Sequence, residues 1–188
     1  MTGPLGSTPF AERILAIHRA LQAGGVGHGF GGAVALAFHV RDPRATADID
    51  INIHSEVSEA AAVLAALPSG IEVGGGAVQD VTTSGQVRLW WDSVVPVDLF
   101  FPQHEFHAEV ARETTGRMFA GVEIPVISAT HLTVFKSMYN RSRDWVDIEA
   151  MLEAGTVETA RALDWLDRLL GRESEGYSRL AQLTGATS

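Results

Sequence analysis

The sequence of 188 residues contains no cysteine, which excludes disulfide bonds and thiolate metal sites. It has no apolar run near the roughly 18 residues that a membrane-spanning helix needs. The first residues lack the basic stretch and apolar core of a signal peptide. We therefore expect a cytoplasmic protein with no membrane partner. Internal repeats and low-complexity segments are also missing, which favours one globular unit.

Positive charge is scarce, because 14 Lys and Arg stand against 23 Asp and Glu, a net charge of −9. Such a chain gains nothing from long-range attraction to a phosphate backbone. If it handles RNA, a local basic patch or metal ions must hold the RNA. The charge balance thus counts modestly against a nucleic-acid substrate.

Hydrophobic periodicity predicts an α/β first part and a mostly helical remainder. The predicted helices cover residues 9–24, 33–40, 58–67, 105–112, 128–139 and 144–154, and another begins at Thr156. The predicted strands cover residues 26–30, 48–54, 71–73, 87–91 and 94–101, followed by a hairpin over 117–127. We expect a small mixed, twisted sheet flanked by helices. A core of residues 1–127 would carry a helical part, 128–188, packed on it as one compact unit.

The segment 48–54 alternates strictly between polar and β-branched apolar residues, which is typical of a half-buried strand. Residues two apart on a strand point to the same face, so Asp48 and Asp50 project together. Paired carboxylates repel each other unless a cation lies between them, and Mg²⁺ prefers such hard oxygen ligands. The alternative interpretation is a solvated polar face without a metal.

A third carboxylate, Asp98, lies inside the apolar run 94–101. A charge there is costly unless it is paired or bound to a metal. Three aspartates on neighbouring strands are the ligands that a two-metal phosphoryl-transfer site uses. The pair Gly31-Gly32 comes just before a predicted helix, where the backbone can approach a phosphate closely. These parts together predict a site that holds a triphosphate against metal ions.

The segment 31–51 resembles the nucleotidyltransferase superfamily, and more narrowly the AbiEii-type toxins of type IV toxin–antitoxin systems. In that family a glycine pair, an Arg-x-Thr and an Asp-x-Asp follow one another, as residues 31–50 do here. A third acid on a later strand matches Asp98. A downstream Lys before an acid-rich helix matches Lys136 and the segment 141–148. The resemblance covers roughly residues 25–152 and implies a nucleotidyltransferase-like fold.

The resemblance also assigns roles to individual residues. The metal ligands would be Asp48, Asp50 and Asp98, and the catalytic set would also include Lys136 and Asp147. The nucleotide-binding residues would be Gly31, Gly32, Arg44, Thr46 and Asp144. The cofactor would be Mg²⁺ or Mn²⁺, and the substrate a nucleoside triphosphate. For Lys136 and Asp144, a solvated helix face is the competing interpretation.

The resemblance implies transfer of a nucleoside monophosphate to RNA, at the 3′ end of tRNA, by a toxin that a cognate antitoxin restrains. Two alternatives stay open. The acceptor could be a protein hydroxyl or a small molecule such as an antibiotic, which suits an acidic protein better. The chain could also be a non-catalytic member that binds nucleotide without turnover.

Two other motifs are weaker. Residues 27–32 match the glycine fingerprint of dinucleotide-binding folds, with Asp50 at a suitable distance for a ribose. That fingerprint must follow a buried strand, and the residues before Gly27 are predicted to be helical and then glycine-rich. His104 and His107 lack the i, i+4 spacing of a zinc-protease helix.

Overall fold

The computed structural model describes residues 9–186, which alternate between helices and strands and then end in a run of helices. The strands are β1 (His28–Phe30), β2 (Ile49–Ile53), β3 (Ile71–Glu72), β4 (Gln86–Trp91), β5 (Val95–Phe100), β6 (Thr115–Phe119) and β7 (Val122–Val126). The helices are α1 (Phe10–Ala23), α2 (Gly32–Leu36), α3 (Ala60–Ala65), α4 (Ala77–Ser84), α5 (Glu105–Glu113), α6 (Ala129–Tyr139), α7 (Ser142–Glu153), α8 (Thr159–Leu170) and α9 (Glu175–Thr184). No helix in this range is long and apolar enough to cross a membrane.

The strands form one seven-stranded mixed sheet in the order β3-β4-β5-β2-β1-β7-β6. The pairs β2–β5 and β1–β7 are parallel, and the other neighbouring pairs are antiparallel. Helices flank the sheet and the chain ends in α6 to α9. The predicted α/β class with a mixed sheet and a helical C-terminal part is confirmed. The division into residues 1–127 and 128–188 stays a prediction.

Strand alternation gives the sheet one apolar and one polar row where the site lies. In β5, Val95, Val97 and Leu99 are buried, whereas the residues between them are only partly buried. The register sets Asp50 of β2 opposite Asp98 of β5, and Asp98 opposite Arg88 of β4. Since opposite residues share a face, three charged side chains lie in one row across three adjacent strands.

The turn between α6 and α7 fixes how the C-terminal helices meet the sheet. Ser128 accepts a hydrogen bond from the His131 amide and caps α6, as its position in the sequence predicts. Asn140, in the left-handed region at φ 53°, ends the helix. Its side chain accepts a 2.7 Å hydrogen bond from the indole of Trp145, which is 1% exposed. This anchored turn brings the first two turns of α7 back against the last turns of α6.

Several predicted boundaries are wrong for local reasons. The helix predicted over 33–40 ends at Leu36, where the backbone changes to tighter bonds such as His39 N–H to the Leu36 carbonyl. The imidazole of His39 then bonds the Ile127 carbonyl at 2.8 Å, which holds that turn in place. The helix expected from Thr156 begins at Thr159, and α4 was not predicted because its Val, Thr and Asp residues are poor helix formers.

Candidate active site

A cleft of about 740 Å³ lies over the polar row of β2, β5 and β4 and is closed on one side by α6 and the start of α7. Most residues predicted for the site line this cleft: Gly32, Arg44, Thr46, Asp48, Asp50, Asp98 and Lys136. The structure places Gly31 at the start of α2 and places Asp144 and Asp147 on α7, where both are buried. The predicted residues therefore meet in one region, with some at the surface of the cleft and others behind it.

Asp48 immediately precedes β2 and Asp50 is the second residue of the strand, and the segment before the strand orients the backbone at Asp48. Thr46 Oγ1 accepts a hydrogen bond from the Asp48 amide at 3.2 Å and also lies 3.3 Å from the Asp48 carbonyl. Thr46 thus orders the backbone that enters β2. Among residues 9–186, no side chain donates a hydrogen bond to the carboxylate of Asp48 or Asp50.

The lack of a bonded cation is reflected in the pKa of Asp50. Burial, together with the negative charges of Asp98 and Asp48, raises the pKa of its carboxyl from 3.8 to about 6. Lys136 and Arg141 offset part of this effect. Asp50 is thus a carboxylate whose charge the protein balances only in part.

Asp98 has a partner of its own, which the sequence did not indicate. Arg88 donates two hydrogen bonds to its carboxylate, Nε to Oδ1 at 2.8 Å and Nη2 to Oδ2 at 2.7 Å. The pair turns Asp98 toward β4, and the three aspartates do not bring their oxygens mutually within 4.8 Å. The alternation of β4 places Arg88 on the cleft face, but only the strand register shows which carboxylate it meets.

The aspartates fit a hard divalent cation on chemical grounds. Asp48 and Asp50 offer only oxygen donors on one strand face, which is the ligand type that Mg²⁺ and Mn²⁺ prefer. Because burial and the charges of Asp98 and Asp48 raise the pKa of Asp50, a bound cation would favour its ionised form. Asp98 lies on the adjacent strand and can join once Arg88 releases it. The donor set therefore suits such a cation at Asp48 and Asp50, with Asp98 beside it.

A second charged group, the α7 anchor cluster, joins Arg44, Lys136 and Arg141 to Asp144 and Asp147. Lys136 Nζ lies 2.6 Å from Asp147 Oδ2 and 3.3 Å from Asp144 Oδ1. Arg44 bonds both oxygens of Asp147 at 2.9 and 3.0 Å, and Arg141 bonds both oxygens of Asp144 at 2.6 and 3.1 Å. The two acids position three cations at the side of the cleft.

The pKa values of the two acids reflect these bonds. Burial alone would raise the pKa of Asp147, but hydrogen bonds from Arg44 and Lys136 outweigh it and lower the pKa below 3.8. Burial would also raise the pKa of Asp144, but its bonds to Arg141 and Lys136 outweigh this effect and lower the pKa. Both acids are therefore ionised, and each is bonded to two cationic side chains of the protein. Their observed contacts are with protein groups on the cleft wall.

The glycine pair has a steric reason to be glycine. Gly32 lies in the left-handed region at φ 50°, and a Cβ built there would overlap the Asp50 carboxylate. A Cβ on Gly31 would come within 2.8 Å of the Asn52 side-chain nitrogen. The Gly31 amide donates a 2.9 Å hydrogen bond to the Asp50 carbonyl. The pair therefore lets α2, here only five residues long, begin directly against β2.

The competing motifs find no support in the geometry. Strand β1 lies inside the glycine fingerprint of residues 27–32 and not before it, so the context of a dinucleotide-binding turn is missing. His104 and His107 stand at the start of α5 with ring centroids 4.5 Å apart and line the cleft. Burial lowers the pKa of both, that of His107 to about 4.

One further acidic group lies outside the cleft. Glu109 and Glu113 of α5 and His131 of α6 bring three ligand atoms within 4.8 Å of one another, the one such trio among residues 9–186. Arg161 of α8 already bonds both glutamates. This group is therefore neutralised from within the protein and joins α5, α6 and α8.

The architecture is the nucleotidyltransferase fold. No protein-family model and no curated protein matches the sequence. Similar solved structures include the lincosamide antibiotic adenylyltransferase LnuA with lincomycin bound (TM-score 0.53, 15% identity, 76% of this chain and 96% of that one). The antibiotic-resistance factor ANT(2'')-Ia gives a TM-score of 0.55 at 17% identity over 94% and 95% of the two chains. It is also known in complex with adenylyl-2''-tobramycin.

An antigenic nucleotidyltransferase-like protein from Paracoccidioides brasiliensis gives a TM-score of 0.50 at 16% identity over 93% of this chain and 92% of that one. At such identities the likeness concerns the fold alone. The broader nucleotidyltransferase resemblance is confirmed at the level of fold, and the narrower AbiEii-type resemblance stays a prediction.

Proposed function

We propose that the protein transfers AMP from ATP to a hydroxyl group of a small molecule. The observation that carries the proposal is the pair Asp48 and Asp50, which share one strand face without any protein cation bonded to their carboxylates. Asp98 lies on the adjacent strand, directly opposite Asp50. Carboxylates grouped in this way beside a set of cations are what phosphoryl transfer by positioning and charge neutralisation requires.

The α7 anchor cluster supports binding of a triphosphate. Its three cations exceed its two carboxylates, which leaves one positive charge beside the aspartates. Arg44, Arg141 and Lys136 line the cleft, whereas their acidic partners are buried behind them. Arg presents a planar fork that matches phosphate oxygens, and its remaining N–H groups stay available for a ligand. This side of the cleft therefore suits the phosphate chain.

The transfer joins the acceptor oxygen to the α-phosphorus of ATP. The bond from that phosphorus to the bridging oxygen of the β-phosphate breaks, and pyrophosphate leaves with the bonding electrons. Asp98 takes the hydroxyl proton after Arg88 has released its carboxylate, a role that its position opposite Asp50 supports. Asp48 and Asp50 would hold a Mg²⁺ or Mn²⁺ ion, which would neutralise part of the triphosphate charge. The cations of the α7 anchor cluster hold the leaving pyrophosphate.

A small-molecule acceptor is favoured over RNA by two observations. The net charge of −9 offers no long-range attraction to a polyanion. Two of the similar structures are those of an adenylyltransferase with a bound lincosamide and of an antibiotic-resistance factor whose complex holds an adenylylated aminoglycoside. Transfer to tRNA by a toxin with an antitoxin partner stays a prediction from the sequence resemblance, and no contact in the cleft favours it.

The test is incubation of the protein with α-labelled ATP and Mg²⁺, with lincomycin, tobramycin or total tRNA as acceptor. We expect labelled small-molecule product and pyrophosphate with the wild type. We expect at least a roughly thousandfold lower rate with Asp48→Asn, which removes a charge that the metal needs. Asp164→Asn, an exposed aspartate on α8, is the matched control and should keep the wild-type rate. Label that enters only tRNA would overturn the proposal in favour of the toxin interpretation. Metal-dependent ATP binding with no product from any acceptor would favour the non-catalytic one.

A further inference from the structure

The lining of the cleft includes two groups of residues of opposite character. The first, here called the cationic wall, lies at α6, at the start of α7 and in the segment before β2, and carries Lys136, Arg141 and Arg44. The second, here called the neutral wall, comprises Gln86 of β4, Phe100 of β5, and Gln103, His104 and His107 at or just before the start of α5. Because the cationic wall suits the triphosphate, the neutral wall is left for the acceptor.

We propose that the neutral wall binds the acceptor and selects an uncharged or singly charged hydroxylated molecule with an apolar face. This inference rests on the proposed function and names the class of acceptor that the same site takes. Its first support is the position of Phe100, which shares the cleft face of β5 with Asp98. Two strand residues span about 7 Å, so a hydroxyl at Asp98 leaves the rest of a small molecule over the Phe100 ring.

The histidines of this wall are neutral at physiological pH. Burial lowers the pKa of His104, and burial together with the neighbouring His104 lowers that of His107 to about 4. The two rings contact each other, and the His107 ring also lies 5.6 Å from that of Phe135, centroid to centroid. They therefore present aromatic surface to the cleft, which favours apolar or sugar-ring contacts over ionic ones.

The charges on this side of the cleft are too few for a highly charged acceptor. Among the described residues that line the cleft, Asp80 is the one acid apart from the aspartate trio. Arg88 shares the cleft face of β4 with Gln86, and Asp98 already bonds its guanidinium. A polyamine would leave most of its ammonium groups without a carboxylate, and RNA would leave its phosphates without a cation. One ammonium group can be matched by Asp80.

The experiment measures acceptor binding by calorimetry in the presence of Mg²⁺ and α,β-methylene-ATP, which does not react. The probes are an aryl glycoside without an amine, the same glycoside with one amine, an aminoglycoside with several amines, and an RNA oligonucleotide. We expect both glycosides to bind at least about tenfold more tightly than the other two probes. Phe100→Ala should weaken glycoside binding about tenfold, because it removes most of the apolar contact.

A charge-adding variant makes the test specific. Gln86→Glu should improve binding of the aminoglycoside relative to the amine-free glycoside by about fivefold to tenfold, because it supplies a second carboxylate to the wall. Tightest binding of the aminoglycoside or RNA by the wild type, or unchanged glycoside binding by Phe100→Ala, would overturn the inference while the proposed function stands. Failure of the wild type to bind α,β-methylene-ATP with Mg²⁺ would overturn the proposed function and the inference with it.

Discussion

The cleft brings together two groups of aspartates that differ in what balances their charge. Asp144 and Asp147 on α7 are bonded to Arg44, Lys136 and Arg141, and their pKa values are lowered. Asp50 on β2 has no bonded cation, and burial beside Asp98 and Asp48 raises its pKa to about 6. The same side chain is thus held ionised by the protein in one group and resists ionisation in the other.

This difference indicates that one group of aspartates stabilises the fold and that the other group is available to bind a ligand. A buried acid with its cations in place stabilises the fold only while both partners remain, because removal of one leaves an uncompensated charge. A buried acid without a cation costs stability at neutral pH, and a bound metal ion can recover that cost. The first group therefore shapes the cleft wall, and the second group is placed for a ligand. Stability measurements on single variants can test this division.

The largest expected effect is on the α7 anchor cluster. Asp147→Asn should lower the free energy of unfolding by about 3 kcal/mol, because Arg44 and the buried Lys136 lose the carboxylate that they share. Since the pKa of Asp147 is lowered in the fold, its contribution is present above pH 3.8 and is lost as the pH falls below that value. Urea denaturation at pH 7 measures the loss, with Asp164→Asn as the control. An unchanged urea midpoint would show that the α7 anchor cluster does not stabilise the fold.

At Asp50, by contrast, we expect a substitution to raise the free energy of unfolding. Without metal, Asp50→Asn should stabilise the protein by about 3 kcal/mol at pH 8. The folded state holds the Asp50 proton more tightly than the unfolded state does, so wild-type stability falls as the pH rises from about 4 to about 6. The variant should lack this slope and, if the proposed function holds, should also lack transferase activity. Thermal unfolding in EDTA at pH 5 and pH 8 measures the effect. A variant less stable than the wild type at pH 8 would contradict the contrast.

The smallest expected effect on stability is at Arg88, which bonds Asp98. Arg88→Gln should change stability by less than about 1 kcal/mol, because the Arg88–Asp98 pair has an exposed cation. It should tighten Mn²⁺ binding a few-fold, because Asp98 is released toward Asp48 and Asp50. Paramagnetic resonance of free Mn²⁺ measures the affinity. Arg143→Gln removes the same charge from the cleft lining without a bonded carboxylate among residues 9–186, so it controls for the general field. An equal increase in Mn²⁺ affinity in both variants would contradict a specific effect of releasing Asp98 from Arg88.

Much of the site could be predicted because its signals are local. The alternation of residues 48–54 predicts Asp48 and Asp50 on one strand face; the observed strand β2 covers Ile49–Ile53, and both aspartates line the cleft. The cap at Ser128 and the hairpin turn at Ala120 and Gly121, both with positive φ, are equally local. Each of these signals depends on residues only a few positions apart.

The remaining features depend on contacts between distant segments. The bond from Arg88 to Asp98 needs the antiparallel register of β4 and β5, which periodicity does not give. Asp144 and Asp147 were predicted as members of the site, but their pairing with Arg44 and Lys136 follows from how α7 packs against α6. Helix α4 forms although its residues favour other structures, because buried Ala77 and Val81 pack into the core. Tertiary packing decided each of these cases.

The ion pair between Arg44 and Asp147 also bears on the order of folding events. It joins residues 103 positions apart, and it fastens the irregular segment just before β2 to a helix near the end of the chain. Contacts of such long sequence separation form only after loop closure, so they contribute little to early folding. We expect the local strand pairs β4–β5 and β6–β7 to form first, and this segment to become ordered when α7 docks. A nascent chain therefore has no complete cleft until α7 has been synthesised.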